Sequence, residues 1–309
     1  MKNILITGVA GFIGSNLADK LIKEGGYNII GIDNLSYGIK EQIPDKVNFY
    51  QYDIRDENIE YLFEDIDYVF HFAAKNCISD CQKNPSETFD ININGTINIL
   101  NCCVLYGIKK IIYAESSAIY EGSNIYPTPE TEMKPESFYA ISKATTKFIV
   151  DSYYKLHGLN STALRYFCVY GPRQDYRRSI PPLFSSFIIK LLKKEQPIIY
   201  GTGDKRRDFI YIDDINDFHI QCMNDERTTG KVFNLGMSKN YSVNEIYSII
   251  SNLLGTNINP NFKPDLPGEA FQNLADITEA KKLGWCPKIK LEQGLQLSIE
   301  FIKNEMNYH

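Results

Sequence analysis

The sequence predicts an α/β fold built on a doubly wound parallel sheet, with a smaller α/β lobe after it. Three observations carry this. Short apolar runs rich in β-branched residues recur through the first half of the chain. Amphipathic stretches of helical length separate most of them, and the runs are apolar throughout, as strands covered on both faces are.

The expected strands, in order, are NILITG (3–8), YNIIGID (27–33), VNFYQYD (47–53), DYVFHFAA (67–74), KIIYAES (110–116) and STALRYF (161–167). SNLADKLIKEG (15–25) and TFDININGTINILNCCVLYG (88–107) are the helices expected between them, and SFYAISKATTKF (137–148) begins like a loop and continues like a helix. Beyond residue 168 the pattern loosens. Pro-rich joints such as SIPPLF, EQPIIYGTGD and NINPNFKPDLPGE separate shorter elements. We therefore expect a first domain over 1–167, to which segments around 206–235 return, and a second lobe over 168–309. No internal repeat or low-complexity tract interrupts the chain.

With 309 residues, 43% of them hydrophobic, the chain can bury a large core. Its net charge of -5 gives no basic footprint for nucleic acid or an anionic membrane, so an anionic ligand must be gripped locally. The seven cysteines are scattered without paired CxxC spacing, and only four histidines could join them, so free thiols are expected and no metal site. The N-terminal MKNILITG lacks a charged segment before a long apolar one, and no apolar run reaches membrane-spanning length. A cytoplasmic location is the expectation.

The glycines at the start carry chemistry. Gly8, Gly11 and Gly14 in ITGVAGFIGSNLADKL fall between the first strand and first helix. Glycines there permit a tight turn and close approach of the backbone to a pyrophosphate, while the N-terminal N–H groups of the helix, at Phe12 and Ile13, supply donors and a positive dipole. Asp33 ends the second strand, where an acid accepts from ribose hydroxyls. Together these features predict a Rossmann-like dinucleotide site. Residues 33–38 (DNLSYG) hold no Arg for a 2′-phosphate, which favours NAD over NADP.

The glycine turn, DNLSYG, HFAA (71–74), NINGTINIL (92–100), SSAIY (116–120), YAISK (139–143), RYFCVYGPRQ (165–174) and RRDFIYIDD (206–214) stand in the order of the extended short-chain dehydrogenase/reductase family. The chain resembles that family from residue 3 to about 285, and within it looks most like the UDP-hexose 4-epimerases. The resemblance implies a general base at Tyr139, a Lys143 that lowers the base's pKa and binds the nicotinamide ribose, and a third member at Ser117. It also implies cofactor contacts from Asn34, Asp53, Ile54, Phe72, Ala73, Ala74 and Tyr166. A nucleotide sugar is the expected substrate, and a homodimer through a four-helix bundle the expected assembly.

Related activities differ in the two residues after the triad serine. The family's 4,6-dehydratases carry an Asp-Glu pair there, whereas the chain is read as having Ala118 and Ile119. A decarboxylase, a 4-keto reductase and a catalytically silent NAD-binding sensor are the other readings. Glu115 is read as a salt-bridged strand end or as a second acid/base.

Two phosphate donors of the family are missing: Cys168 stands where an Asn is usual, and Leu266 where an Arg is usual. Arg207 is expected to hold a phosphate, with Arg177 and Arg178 as candidate replacements. Asn273 corresponds to the residue that walls the sugar pocket, and its size predicts that N-acetyl sugars are accepted.

Overall fold

A computed structural model describes residues 1–178, 181–265 and 270–308. In chain order its elements are β1 (Lys2–Thr7), α1 (Phe12–Glu24), β2 (Tyr27–Ile32), β3 (Asn48–Tyr50), β4 (Tyr68–His71), α2 (Ile78–Lys83), α3 (Pro85–Phe89), α4 (Gly95–Leu105), β5 (Lys110–Ser116), α5 (Phe138–His157) and β6 (Ser161–Tyr166). They continue with β7 (Cys168–Tyr170), α6 (Leu183–Leu192), β8 (Ile198–Tyr200), β9 (Arg206–Tyr211), α7 (Ile212–Asn224), β10 (Lys231–Leu235), β11 (Asn240–Ser242), α8 (Val243–Leu253), β12 (Asn261–Lys263), α9 (Thr278–Lys282) and α10 (Leu291–Glu305). Two compact units result. The first comprises 1–124, 130–166 and 216–234, and the second 125–129, 167–215 and 235 onward.

This division differs from the sequence boundary in two places. Only 216–234 of the expected return segment joins the first unit, and 125–129 leaves it. Backbone pairing explains the second case. Thr128 N donates to the Leu274 carbonyl (2.8 Å) and its own carbonyl accepts from Asp276 N (3.1 Å), tying this short stretch into the second unit.

In the first unit seven strands run in the order β10-β6-β5-β4-β1-β2-β3. The chain moves outward from β1 to β3, then returns through β4 to β6 on the other side. The order therefore reverses between β1 and β4, which pair in parallel with Thr7 opposite His71. In such sheets ligands bind at the carboxyl ends beside the reversal. Leu5, Val69, Ile99, Leu100, Ile111 and Val150 form part of the core beneath.

The stretch 88–107, expected as one helix, is α3, a π-helical turn at Asp90–Asn94, and α4. The wider turn brings Asn92 inward. Its Oδ1 accepts from Lys75 N (2.8 Å), and its Nδ2 donates to the Lys75 carbonyl (3.0 Å) and Ser142 Oγ (2.9 Å). The run 47–53 shortens to Asn48–Tyr50. Helix α5 begins as anticipated, with Ser137 Oγ accepting from Ala140 N (3.1 Å), and it ends at Gly158, whose φ of 69° suits glycine.

Two histidines are buried in this unit. Thr96 Oγ1 donates to the Asn92 carbonyl (2.7 Å), so it accepts from His71 Nε2 (3.0 Å), and His71 Nδ1 then accepts from Thr7 Oγ1 (2.7 Å). A second proton on that ring would find Thr7 already donating. Burial first, and the Lys143 charge second, hold His71 down to about 3; burial and then Lys20 do the same for His219. The unfolded chain takes up these protons near pH 6.5, so this stability is complete above that pH and declines below it. At pH 4.5 the loss should reach up to about 3 kcal/mol per histidine. Urea midpoints followed from pH 7.5 to 4.5 should fall steeply below 6.5, and a flat profile would contradict this.

In the second unit β11, β9 and β7 form one sheet, with β9 antiparallel to β11 and parallel to β7; β12 and β8 pair separately. Asp208 on β9 is its buried hub. Its carboxylate accepts from Met237 N (2.6 Å), Ser238 N (3.0 Å) and Ala275 N (3.0 Å), which joins two loops to the strand.

Candidate active site

The turn between β1 and α1 has the shape of an anion cradle. Gly8 has φ +74°, and a Cβ there would lie 2.8 Å from Ala73 N; one at Gly14 would lie 2.3 Å from the Gly8 carbonyl oxygen. Gly11 is the N-cap of α1 and brings no side-chain cap, and the first turn holds no acid. The N–H groups at Phe12 and Ile13 thus lack a side-chain acceptor, which suits a phosphate.

Asp33 follows β2, with Oδ2 accepting from Ala10 N (3.0 Å) and Oδ1 from Leu35 N (2.8 Å). Burial pushes its carboxyl above the usual range, and these two bonds oppose the rise. Gly38 comes so close that a Cβ would meet Asp33 Oδ1 at 2.8 Å. Both oxygens retain a lone pair for hydroxyl donors, so the cradle and Asp33 fit a dinucleotide.

Other expected cofactor residues are already engaged. Arg55 clamps Asp53 through Nε and Nη2, both at 2.8 Å, and holds its carboxyl down to about 2. Asn34 Nδ2 donates to the same carboxylate (2.9 Å), and Ile54 is buried where a Cβ on Gly95 would strike it. Phe72, with Ala73 and Ala74 after it, follows β4 at the order reversal; its ring centroid lies 5.0 Å from that of His219. Tyr166 is buried with its hydroxyl on His219 Nε2 (2.7 Å).

Tyr139 and Lys143 lie one turn apart on α5 over the end of β5. Lys143 Nζ donates to the Ala114 carbonyl (3.0 Å). Burial lowers its ammonium to about 8, against the negative field of Glu115. Burial likewise pushes the Tyr139 phenol up to about 12, and a hydrogen bond with the Ser116 side chain pulls it back. The serine that bonds Tyr139 is therefore Ser116 and not Ser117, where the third member was expected. The reason is local: β5 ends at Ser116, whose hydroxyl accepts from Ala118 N (3.2 Å) and caps a 3₁₀ turn at Ser117–Tyr120. Ser117 belongs to that turn. The positions after Ser116 are Ser117 and Ala118, neither of them an acid.

Glu115 alternates away from Ser116 on the strand. Its Oε2 accepts from Arg165 Nε (2.6 Å) and its Oε1 from the Tyr113 hydroxyl (2.9 Å), and both members of the ion pair are fully buried. The strand-end ion pair is what the structure contains. A free second acid/base is absent there.

In the second unit a cavity of about 360 Å³ is lined by Cys168, Tyr170, Phe184, Tyr200, Lys205 and Arg207, among others. Asn273 Nδ2 lies 3.8 Å from Cys168 Sγ and its Oδ1 accepts from Asp208 N (2.7 Å), so the expected pocket wall and the position that lacks the expected Asn touch each other. Arg207 Nη1 donates to the Arg206 carbonyl (3.0 Å). Arg177 and Arg178 are not among the lining residues: Arg177 pairs with Glu305 (3.3 Å) and Arg178 with Asp175 (2.9 Å). Acids distant or near in sequence hold both. Leu266 lies outside the described residues.

Sequence reasoning missed Ser116, Asn92 and the Ala114 carbonyl. A serine closing a strand two residues before an available N–H is an ST-turn signal that favours Ser116. Ser116→Ala should lower kcat by about 10- to 100-fold with NAD affinity intact, because one hydrogen bond to the reacting group is lost. Ser117→Ala should cost less than threefold; the reverse ranking in steady-state assays would contradict the assignment.

Residues 4–236 match the model of the NAD dependent epimerase/dehydratase family. A UDP-glucose 4-epimerase from Thermotoga maritima, solved with UDP-glucose, is 37% identical with a TM-score of 0.94, covering 98% of this chain and 99% of that one. A UDP-N-acetylglucosamine 4-epimerase from Methanobrevibacter ruminantium, in complex with UDP-N-acetylmuramic acid, is 33% identical with a TM-score of 0.94 and covers 99% of each chain. A UDP-glucuronate 4-epimerase of Thermodesulfobacterium geofontis is 34% identical over 99% of this chain and 98% of its own length. Glycine cradle, Tyr139–Ser116 contact and full-length likeness together lead to one statement: the chain belongs to the NAD dependent epimerase/dehydratase family.

Proposed function

We propose that this chain is a nucleotide-sugar 4-epimerase that acts on UDP-glucose and UDP-N-acetylglucosamine and keeps its NAD throughout the cycle. The observation that carries the reading is the cluster on α5 and β5: Tyr139 on Ser116, with Lys143 anchored one turn away on the Ala114 carbonyl. NAD would supply the site with a hydride acceptor and, once reduced, a hydride donor at C4. Gly8, Gly11, Gly14 and the N–H groups of Phe12 and Ile13 would hold its pyrophosphate, Asp33 its adenosine ribose and Lys143 its nicotinamide ribose.

Tyr139 takes the proton from the C4 hydroxyl, with Ser116 holding that hydroxyl, and later returns it. A phenol near 12 is a weak base at neutral pH, so the cation of Lys143 must favour phenolate in the loaded site. Arg207, with Lys205 and Cys168 beside the same cavity, grips the nucleotide end. Firm anchoring there leaves the sugar able to present its other face. Without acids at Ser117 and Ala118, elimination of water has no donor pair at these positions.

Exposed Leu105 on α4 with Phe148 and Leu156 on α5 supports a homodimer through a four-helix bundle. Seven free thiols suit the reducing cytoplasm, and no helix among the described residues is long and apolar enough to cross a membrane.

The substrate range has its own test. Asn273 touches Cys168, a residue lining the cavity, and is smaller than Tyr, so Asn273→Tyr should reduce activity on UDP-N-acetylglucosamine at least tenfold relative to UDP-glucose, as a clash with the acetamido group predicts. An unchanged ratio of kcat/KM values would remove Asn273 as the discriminator.

A further inference from the structure

The buried pair Glu115–Arg165 is not accounted for by the reaction as described. Its members face each other across β5 and β6 in register. Arg165 Nη1 also donates to the Tyr120 hydroxyl (2.8 Å) and the Glu130 carbonyl (2.7 Å), and its guanidinium lies 5.2 Å from the Tyr120 ring centroid. Tyr120 in turn donates to Asn234 Oδ1 (2.7 Å). Even so, Arg165 Nη2 is buried with no partner among the described residues.

An ion pair sealed this deeply is a poor source of stability, because apolar residues of similar volume usually serve as well. Its position suggests another role. Glu115 sits between two residues that touch the reacting pair: the Ala114 carbonyl takes the Lys143 ammonium, and Ser116 takes the Tyr139 phenol. Tyr120, held by the same guanidinium, closes the turn that Ser116 opens.

We propose that Glu115 is a positioning residue: locked by Arg165, it fixes the strand end that presents Ala114 to Lys143 and Ser116 to Tyr139, and supplies the anion that Lys143 faces from β5. The inference rests on the roles given to Tyr139 and Lys143 above. The other groups near Lys143 carry no such charge. His71 on β4 is neutral, and Cys81 on α2 is buried with its thiol raised by that burial. Tyr139, on the same helix, is the group Lys143 serves. Glu115 is thus the carboxylate that opposes the loss of the Lys143 proton.

The test uses Glu115→Gln and the double variant Glu115→Leu/Arg165→Met, which removes both charges and leaves neither alone. Two readouts are taken against pH: kcat on the UDP-sugar the wild type turns over, and the rate of trace reductive methylation of Lys143 read by peptide mass spectrometry. In Glu115→Gln, which leaves the Arg165 cation unpaired, the alkaline limb of kcat and the methylation midpoint should move about one unit toward acid. In the double variant, where loss of the cation offsets part of the loss of the anion, they should move the same way by less, with substrate KM and bound NAD within twofold in both. Glu115→Asp, which keeps the charge, should move them less. Profiles that superimpose on the wild type in a folded variant overturn the proposal, as does failure of both variants to fold, which would make the pair purely structural. Methylation needs no turnover, so it still decides the case if no UDP-sugar is a substrate.

Discussion

Tyr139→Phe is expected to lower kcat by about 100- to 10,000-fold, the usual effect of removing a general base, while NAD remains bound. The ring stays, so packing around α5 is kept, but the oxygen that bonds Ser116 is lost. A conservative change with so large an effect separates chemistry from binding, since the glycine cradle lies at the turn from β1 into α1 and Asp33 just after β2. Isothermal titration of NAD should give an unchanged Kd. A variant within twofold of the wild type would show that another group takes the proton.

Arg207→Leu should raise the substrate KM by roughly 10- to 150-fold, the equivalent of about 1.5 to 3 kcal/mol for a hydrogen bond to a charged group. Leucine keeps most of the apolar stem, so the effect reports the guanidinium. The cation lines the cavity beside Cys168, whose thiol is a weak donor, so on the reading proposed above the phosphate is held mainly by this guanidinium. Arg177→Ala, at a residue tied to Glu305 instead, should move KM by less than threefold. Equal effects at the two positions would mean that the nucleotide is held differently.

The sheet was legible because parallel strands covered on both faces read as continuous apolar runs, and the dinucleotide turn because glycine spacing, strand and helix agreed at one place. Tyr139 and Lys143 were legible through their spacing on one helix. Ser116 was not, because two adjacent serines differ only in which one ends the strand, and hydrogen bonding to Ala118 N decides that. The role of Glu115 depended on Arg165, a partner fifty residues away that only strand register brings opposite. The π-helical turn escaped for a similar reason: Asn92 turns inward to meet Lys75 and Ser142 from other elements. Likewise, an arginine pair in a polar loop gives no sign that Glu305 and Asp175 hold it.

The central claim is that one carbon gives up its hydride and receives it back while Tyr139 handles the proton. Its most direct test is to incubate the holoenzyme with UDP-glucose or UDP-N-acetylglucosamine deuterated at C4, and to read the products by NMR and mass spectrometry. The account predicts the C4 epimer with deuterium retained at C4, no net NADH and no loss of water or carbon dioxide. Deuterium exchanged for solvent hydrogen, accumulated NADH, or a dehydrated or decarboxylated product would contradict it.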